Sequence, residues 1–166
     1  VPVMVKSTFT DEGGTLVTKE DDEMEKEIVS GITYDKNEAK LTLLAVPDKP
    51  GIAAELFTSL AAQNINVDMI IQNVSVDGRS ADLSFTVTKS DFAQAMQIVK
   101  EKARIMGAKD VIGDTSIAKL SIVGVGMRSH AGVAARMFQA LSRVGINIMM
   151  ISTSEIKVSC VIDEKF

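Results

Sequence analysis

The sequence contains the same unit twice. The segment KLTLLAV (40–46) matches KLSIVGV (119–125) with three identities in seven positions. After a short loop, residues 51–70 match residues 132–151 with nine identities in twenty positions, and most other pairs exchange one aliphatic residue for another. Repetition of this strength predicts two copies of one folded unit, each of roughly 75 residues.

Periodicity of the apolar residues gives the order of elements in the first copy. Strand-like alternation, helical stripes and turn signals follow one another as β-α-β-β-α-β, which is the ferredoxin-like split βαβ arrangement. The segments are a strand at 40–46 that is apolar on both faces, a helix from Ile52 to Leu60, a strand at 67–74, a turn at 76–79, a strand from Ala81 to Val87, a helix from Phe92 to Ala103 and a short strand at 110–114. We therefore predict an α+β fold of two ferredoxin-like βαββαβ units, with antiparallel sheets and the helices on one face.

The second copy is shorter than the first. It offers strands at 119–125, 147–153 and 155–162 and a helix at 132–145, but no second helix. The strand-like stretches at 1–9 and 28–34 are the spare material that could complete its sheet. We accordingly expect an N-terminal segment at 1–34, a first domain at 35–115 and a C-terminally incomplete second domain at 116–166.

Composition argues against several classes of protein. The net charge is −4, whereas a nucleic-acid partner normally requires a basic surface. No stretch approaches the roughly 20 apolar residues that span a bilayer, and residues 1–10 lack the order of a signal peptide. The single cysteine, Cys160, excludes an internal disulfide and fits a reducing compartment. We predict a cytoplasmic protein without a membrane or nucleic-acid partner.

The sequence shows no recognisable set of catalytic residues. His130 and Cys160 are the one histidine and the one cysteine, so a cluster of His and Cys ligands for a metal cannot form. The glycines of GVG (124–126) lack the third glycine of a dinucleotide-binding fingerprint, and a Walker A lysine motif is missing. We predict no catalytic residue, no metal and no cofactor in this chain.

The loop PDKPG (47–51), which precedes the first helix, is the best candidate for a binding site. Free N–H groups and the helix dipole make a helix N-terminus suited to a carboxylate. Gly51 allows a ligand to approach the backbone closely, and Asp48 could hold an ammonium group. A carboxylate receptor beside an ammonium receptor suits an α-amino acid. The same residues also suit a plain turn before a helix.

Four motifs carry a resemblance to a known family, namely DKPG (48–51), NINVDMIIQN (64–73), GMRSH (126–130) and ISTSEI (151–156). In this order they resemble the tandem ACT domains in the regulatory part of aspartate kinases. The resemblance implies feedback inhibition by threonine, lysine or both, bound where ACT units pair side by side. Because the kinase signatures are missing, it also implies a regulatory β subunit or a piece of a longer kinase.

The same resemblance assigns effector-binding positions residue by residue. The loop and helix start supply Asp48, Pro50, Gly51, Ile52 and Ala53; the following strand supplies Asn66, Val67 and Asp68, and then Gln72; the second copy supplies Asn147, Ile148, Ser154 and Glu155 across an interface. A role in the core is the alternative for the apolar members of this set.

The second copy departs from the first at the loop. It has Met127 at the place of Asp48, and its loop is two residues longer and carries Arg128 and His130. The second loop therefore lacks the ammonium receptor. We expect the two pseudo-equivalent sites to differ in the ligand that they bind.

The family resemblance also implies partners. It implies a homodimer in which the first ACT unit of one chain pairs with the second unit of the other, and a catalytic aspartate kinase subunit or domain. One alternative is the ACT subunit of another biosynthetic enzyme, such as acetolactate synthase, against which GMRSH and ISTSEI count. Another is RNA binding on a ferredoxin-like sheet, which requires aromatic residues on the central strands, where this chain has Phe85 alone.

Overall fold

The computed structural model describes residues 2–6, 8–9, 13–17 and 28–166. Within these ranges the chain forms eight strands, three α-helices and one 3₁₀ turn. In chain order they are β1 (Val3–Val5), β2 (Thr15–Val17), β3 (Gly31–Pro47), α1 (Ile52–Ala61), β4 (Ile70–Val74), β5 (Ser80–Thr88), α2 (Phe92–Met106), β6 (Asp110–Val123), the 3₁₀ turn (Val125–Arg128), α3 (Val133–Arg143), β7 (Met150–Thr153) and β8 (Lys157–Asp163). No helix in this part of the chain is both long and apolar enough to cross a membrane.

Strands β3 to β8 form one antiparallel sheet in the order β4-β5-β3-β6-β8-β7. Strands β3 and β6 have 17 and 14 residues, and each of them serves both units. The first unit is β4-β5-β3-β6 and the second is β7-β8-β6-β3, so each has the ferredoxin-like strand order. The strands expected separately at 110–114 and 119–125 are one continuous strand, because β6 pairs with the long β3 over nearly its whole length.

The fourth strand of the second unit comes from residues that precede the first unit. Residues 31–35 of β3 pair with residues 119–123 of β6, from Gly31 opposite Val123 to Asp35 opposite Lys119. Strand β1, from the expected stretch at 1–9, does not join this sheet, because β1 and β2 form a separate two-stranded sheet. The second unit is thus built from two parts of the chain that are distant in sequence.

Helices α1 and α2 cover one face of the first unit. Their buried side chains repeat at helical spacing, as Leu56 and Leu60 do in α1, and meet the inward side chains of β3 and β5. Phe57 also packs edge-on against Phe85 of β5, with ring centroids 5.3 Å apart. The fully buried residues of this core include Leu41, Leu43, Leu56, Leu60, Phe85 and Val99.

Helix α3 covers the corresponding strands of the second unit. Its buried face contacts Ala118, Ile122, Val158 and Cys160. Among the described residues no second helix lies beside it, and an apolar groove of about 610 Å³ remains there. Ile32 of β3 and Leu120 of β6 line this groove. In the first unit, the corresponding face of these two strands is covered by α2.

The two units also share a cluster on the side of their sheets away from the helices. Met69 of the first unit packs there against Ile117, Met150 and Val161. Val161 follows Cys160, which faces α3, and successive side chains of a strand point to opposite faces. The helix-free faces of the two units therefore contact each other.

Candidate functional site

A cavity of about 450 Å³ lies at the start of α1. The loop 47–51 and the first residues of the helix form one side of it, and β4 and β5 form the other. The structure thereby brings together six of the residues assigned by resemblance: Asp48, Pro50, Gly51, Ile52, Ala53 and Gln72. Pro47 and Lys49 of the same loop also line it, as do Val46, Ala81 and Leu83, which sequence reasoning did not assign to the site.

The N-terminus of α1 opens towards this cavity. Gly51 precedes the helix with φ 97°, a left-handed conformation that glycine adopts without strain. No side chain caps the helix. The N–H of Ile52 donates to the carbonyl of Lys49 over a long 3.4 Å, and the next N–H groups of the first turn, those of Ala53 and Ala54, can donate to a ligand. Together with the positive end of the helix dipole, these groups favour an anion such as a carboxylate.

Asp48 supplies a negative charge at the same cavity. Its N–H donates to the carbonyl of Arg79 over 3.1 Å, which ties the loop to the turn between β4 and β5. Its carboxylate accepts a hydrogen bond from the side-chain amide of Gln72 over 3.4 Å. Val46, Ala81 and Leu83 add apolar walls. The cavity therefore combines an anion receptor, a cation receptor and an apolar surface.

The remaining residues of the first unit lie outside this cavity. Asn66, Val67 and Asp68 were expected in a strand, but β4 begins only at Ile70. Val67 packs against the core of the first unit. Asp68 instead lies beside the second unit, where it lines a cavity of about 70 Å³ with Ser154.

The residues assigned from the second copy are also separate within one chain. Asn147 and Ile148 line a shallow cavity of about 380 Å³ beside α3. Glu155 forms an ion pair with Arg128 over 3.3 Å. None of these residues lines the cavity at Asp48. Within one chain these residues and the cavity at Asp48 are therefore separate.

The second loop differs from the first in structure as well as in sequence. Residues 125–128 form the 3₁₀ turn, and Met127, at the place of Asp48, packs against the core of the second unit. His130 Nδ1 lies 2.8 Å from the carbonyl oxygen of Gly126 and holds the loop together. In the described ranges no group of three or more His, Cys, Asp or Glu residues could hold a metal ion.

Sequence reasoning missed an ion-pair cluster between the units. Lys119 of β6 forms ion pairs with Glu38 of β3 and with Asp68, the latter over 2.5 Å. Burial by itself lowers the pKa of Lys119, but hydrogen bonds and charge from Asp68 and Glu38 outweigh it and hold the pKa above its usual value. The one signal in the sequence was a lysine at the start of a predicted strand, where a charged residue is ordinary.

Comparison with known proteins matches both units to one family. A family model described as the ACT domain matches residues 45–102 and 120–166. An aspartokinase of Pseudomonas aeruginosa is 54% identical over 168 residues, a match that covers 100% of this chain and 40% of that protein. This chain therefore spans about two fifths of the length of that curated relative.

Two solved structures match at comparable strength. One chain of a structure of aspartokinase alpha and beta subunits is 51% identical, with a TM-score of 0.76 and coverage of 82% of this chain and 89% of that chain. The ligand-free regulatory subunit of aspartate kinase from Thermus thermophilus is 40% identical, with a TM-score of 0.78 and coverage of 84% and 91%. The predicted fold of two ACT units is thereby confirmed, and the chain belongs to the ACT-domain family as the regulatory ACT region of an aspartate kinase.

Proposed function

We propose that this chain binds a free amino acid, threonine or lysine, and thereby transmits feedback inhibition to an aspartate kinase. The observation that carries the proposal is the cavity at the start of α1, where Asp48 and Gln72 face an uncapped helix N-terminus. A zwitterion needs a donor array for its carboxylate and an acceptor for its ammonium group. This cavity supplies both within a single unit.

The ligand is oriented by these groups. Its carboxylate lies against the N–H groups of the first turn of α1, where the helix dipole favours negative charge. Its ammonium group lies at the carboxylate of Asp48, and the amide of Gln72 contributes a neutral hydrogen bond. A few convergent polar groups among apolar walls are typical of a small-molecule site.

The walls favour threonine over lysine at this cavity. Among the described residues that line it, Asp48 is the one acidic residue, and the α-ammonium group occupies it. A lysine side chain would bring a second ammonium group without a second carboxylate to receive it. The short side chain of threonine instead places its methyl group against Val46, Ala81 and Leu83.

A homodimer completes the site in this proposal. Asn147, Ile148, Ser154 and Glu155 lie away from Asp48 within one chain, so they reach the effector from the other chain. The edge strands β4 and β7 each have one neighbour in the sheet, and their residues Ile70 and Ile151 are exposed. Exposed strand edges with apolar residues favour association.

The catalytic partner and the domain bounds are proposals of the same kind. A structure of aspartokinase alpha and beta subunits supports a catalytic subunit or domain as the partner. The proposed domains are 35–115 and 116–166, with the strand at 31–35 added to the sheet of the second one. The single cysteine supports a cytoplasmic location.

Thermal denaturation with each amino acid tests the sensor function. A ligand that binds the folded state stabilises it by RT ln(1 + [L]/Kd), about 2.7 kcal/mol at a concentration of 100 Kd. We expect L-threonine to raise the melting temperature, L-lysine to add a smaller shift and D-threonine to have no effect. If neither L-amino acid, alone or together at millimolar concentration, shifts the transition, the sensor function is rejected.

Sedimentation velocity at micromolar concentration tests the dimer separately. We expect a dimer whose proportion rises with threonine. A monomer with and without both amino acids would contradict the side-by-side pairing.

A further inference from the structure

Strand β3 contains a bulge just before the cavity loop. Its register with β5 shifts between Leu43 and Val46, so that two residues of β3 oppose Asp82 of β5. One of these two, Ala45, has φ 49°. Residues with a Cβ atom seldom adopt this left-handed conformation, and a bulge that needs it usually contains glycine.

The bulge decides which way Asp48 points. Leu41 and Leu43 are buried towards the helices, so an unbroken strand would bury residue 45 and expose residue 46. Instead Val46 is only 2% exposed, and Val46 and Asp48 both line the cavity. Without the bulge, the alternation would turn Asp48 away from the cavity.

Asp82 holds the bulge in place. Its Oδ1 accepts a hydrogen bond from the N–H of Ala45 over 2.8 Å. The bond compensates for the ladder hydrogen bonds that a bulge interrupts. Its neighbours Ala81 and Leu83 line the cavity, whereas Asp82 is exposed and absent from that lining. Asp82 therefore acts on the loop without contacting the ligand.

The second unit provides an internal comparison. The repeat places Gly124 at the position of Ala45, and the strand pairing places Lys157 at the position of Asp82. With a lysine in place of the carboxylate, Gly124 is extended, at φ 179°. The left-handed bulge therefore occurs in the unit that carries both Asp82 and Asp48.

We propose that Asp82 is a positioning residue for the amino-acid cavity: it holds Ala45 in the left-handed conformation and so turns Asp48 towards the ligand. The inference rests on the function proposed above, because its main effect is on the affinity of the effector. In this proposal Asp82 acts by holding the backbone of β3, and not by electrostatic attraction of its charge to the ligand.

Four variants of the 166-residue chain, namely Asp82→Ala, Asp82→Asn, Ala45→Gly and Ala45→Gly with Asp82→Ala, test the role of Asp82 by calorimetric titration with threonine. We expect Asp82→Ala to weaken binding about tenfold, because the acceptor of a charge-assisted hydrogen bond is lost. Asp82→Asn keeps an oxygen acceptor and should remain within about twofold of the parent. In an Ala45→Gly background, Asp82→Ala should cost less than about threefold, because glycine adopts the left-handed conformation unaided.

Amide hydrogen exchange of ligand-free protein separates this inference from the sensor function. The N–H of Ala45 should be protected in the parent and in Asp82→Asn, and should lose protection in Asp82→Ala while the core amides keep theirs. Protection of Ala45 that survives Asp82→Ala would overturn the inference, as would equal losses of affinity in the alanine and asparagine variants. If the parent binds neither threonine nor lysine, the sensor function fails, and the exchange of Ala45 still decides the role of Asp82 in the bulge.

Discussion

The side-chain amide of Gln72 donates a hydrogen bond to the carboxylate of Asp48 over 3.4 Å, which links β4 to the loop before α1. This distance is at the long end for a hydrogen bond, and both residues are exposed. In the proposed site, an ammonium group would therefore displace the amide from Asp48 at little cost. The displaced amide would remain beside the ligand and could donate to it from β4.

The first prediction concerns Asp48→Ala. We expect threonine affinity to fall roughly ten- to more than a hundredfold, because a charge-assisted contact contributes about 1.5–3 kcal/mol. The fold should be retained, since the carboxylate is exposed. Calorimetric titration measures the change, with Glu101→Ala, an exposed acidic residue on α2, as the control. Unchanged affinity would mean that other groups hold the ammonium group.

The second prediction concerns Gln72→Ala. A neutral hydrogen bond contributes about 0.5–1.5 kcal/mol, so we expect threonine affinity to fall roughly two- to tenfold, less than in Asp48→Ala. A larger loss for Gln72→Ala than for Asp48→Ala would reverse the assigned roles.

The reciprocal change in the second loop, Met127→Asp, should not create a matching site, because the 3₁₀ turn directs residue 127 to the core.

The third prediction concerns the ion-pair cluster of Lys119. The side chain of Glu38 is only 8% exposed, so Lys119→Met leaves a buried carboxylate without its cation. Breaking a buried pair in this way costs about 3–5 kcal/mol. Chemical denaturation measures the loss. Lys102→Met is the matched control, because Lys102 pairs with Glu55 at the surface and an exposed pair contributes about 0–1 kcal/mol.

A second variant tests the cause of that loss. Replacing both partners, as in Lys119→Met with Glu38→Met, removes the unpaired charge and should recover much of the stability. Equal stability of the double variant and Lys119→Met would show that packing of the lysine stem, and not the unpaired carboxylate, is responsible.

The repeat and the periodicity were sufficient to predict the fold of each unit. Apolar alternation and helical stripes are local signals, and both copies carry them. The sequence could also indicate the cavity at Asp48, because six of its lining residues lie from Asp48 to Ala53 in one loop and helix start. Gln72, Ala81 and Leu83 come from more distant strands, and of these the family resemblance supplied Gln72.

Longer-range features had no such signal. Glu38 and Lys119 are 81 residues apart, and nothing in either segment specifies that the two strands will be neighbours. The bulge at Ala45 was also missed. The segment LLAV (43–46) is apolar at every position, so its apolar pattern is the same for a regular strand and for a strand with one extra residue. Alternation specifies a register only where one face of a strand is polar.

The fourth prediction concerns the close packing of α2 on β6. A Cβ atom at Gly113 would lie 2.3 Å from Met96 Cε and 2.5 Å from Phe92 Cζ. The end of the methionine can move, but the phenylalanine ring packs against the core of the first unit, so Gly113→Ala should cost about 1–3 kcal/mol. Gly31→Ala is the control, because a Cβ atom there meets nothing within 4 Å. Equal melting temperatures for the two variants would contradict the overpacking.

The last prediction concerns Cys160, whose thiol is fully buried between β8 and α3. Burial raises its pKa from 9.0 to about 11. At pH 8 the thiolate fraction is then about a hundredfold smaller than in the unfolded chain, so a thiol reagent should label the folded protein at least that much more slowly. Because the folded pKa is the higher one, the neutral thiol favours the folded state below pH 9, and this contribution is lost as the pH rises from 9 to 11. Cys160→Ala should not lose this contribution to stability between pH 9 and pH 11. Rapid labelling of the folded parent at pH 8 would contradict the burial of the thiol.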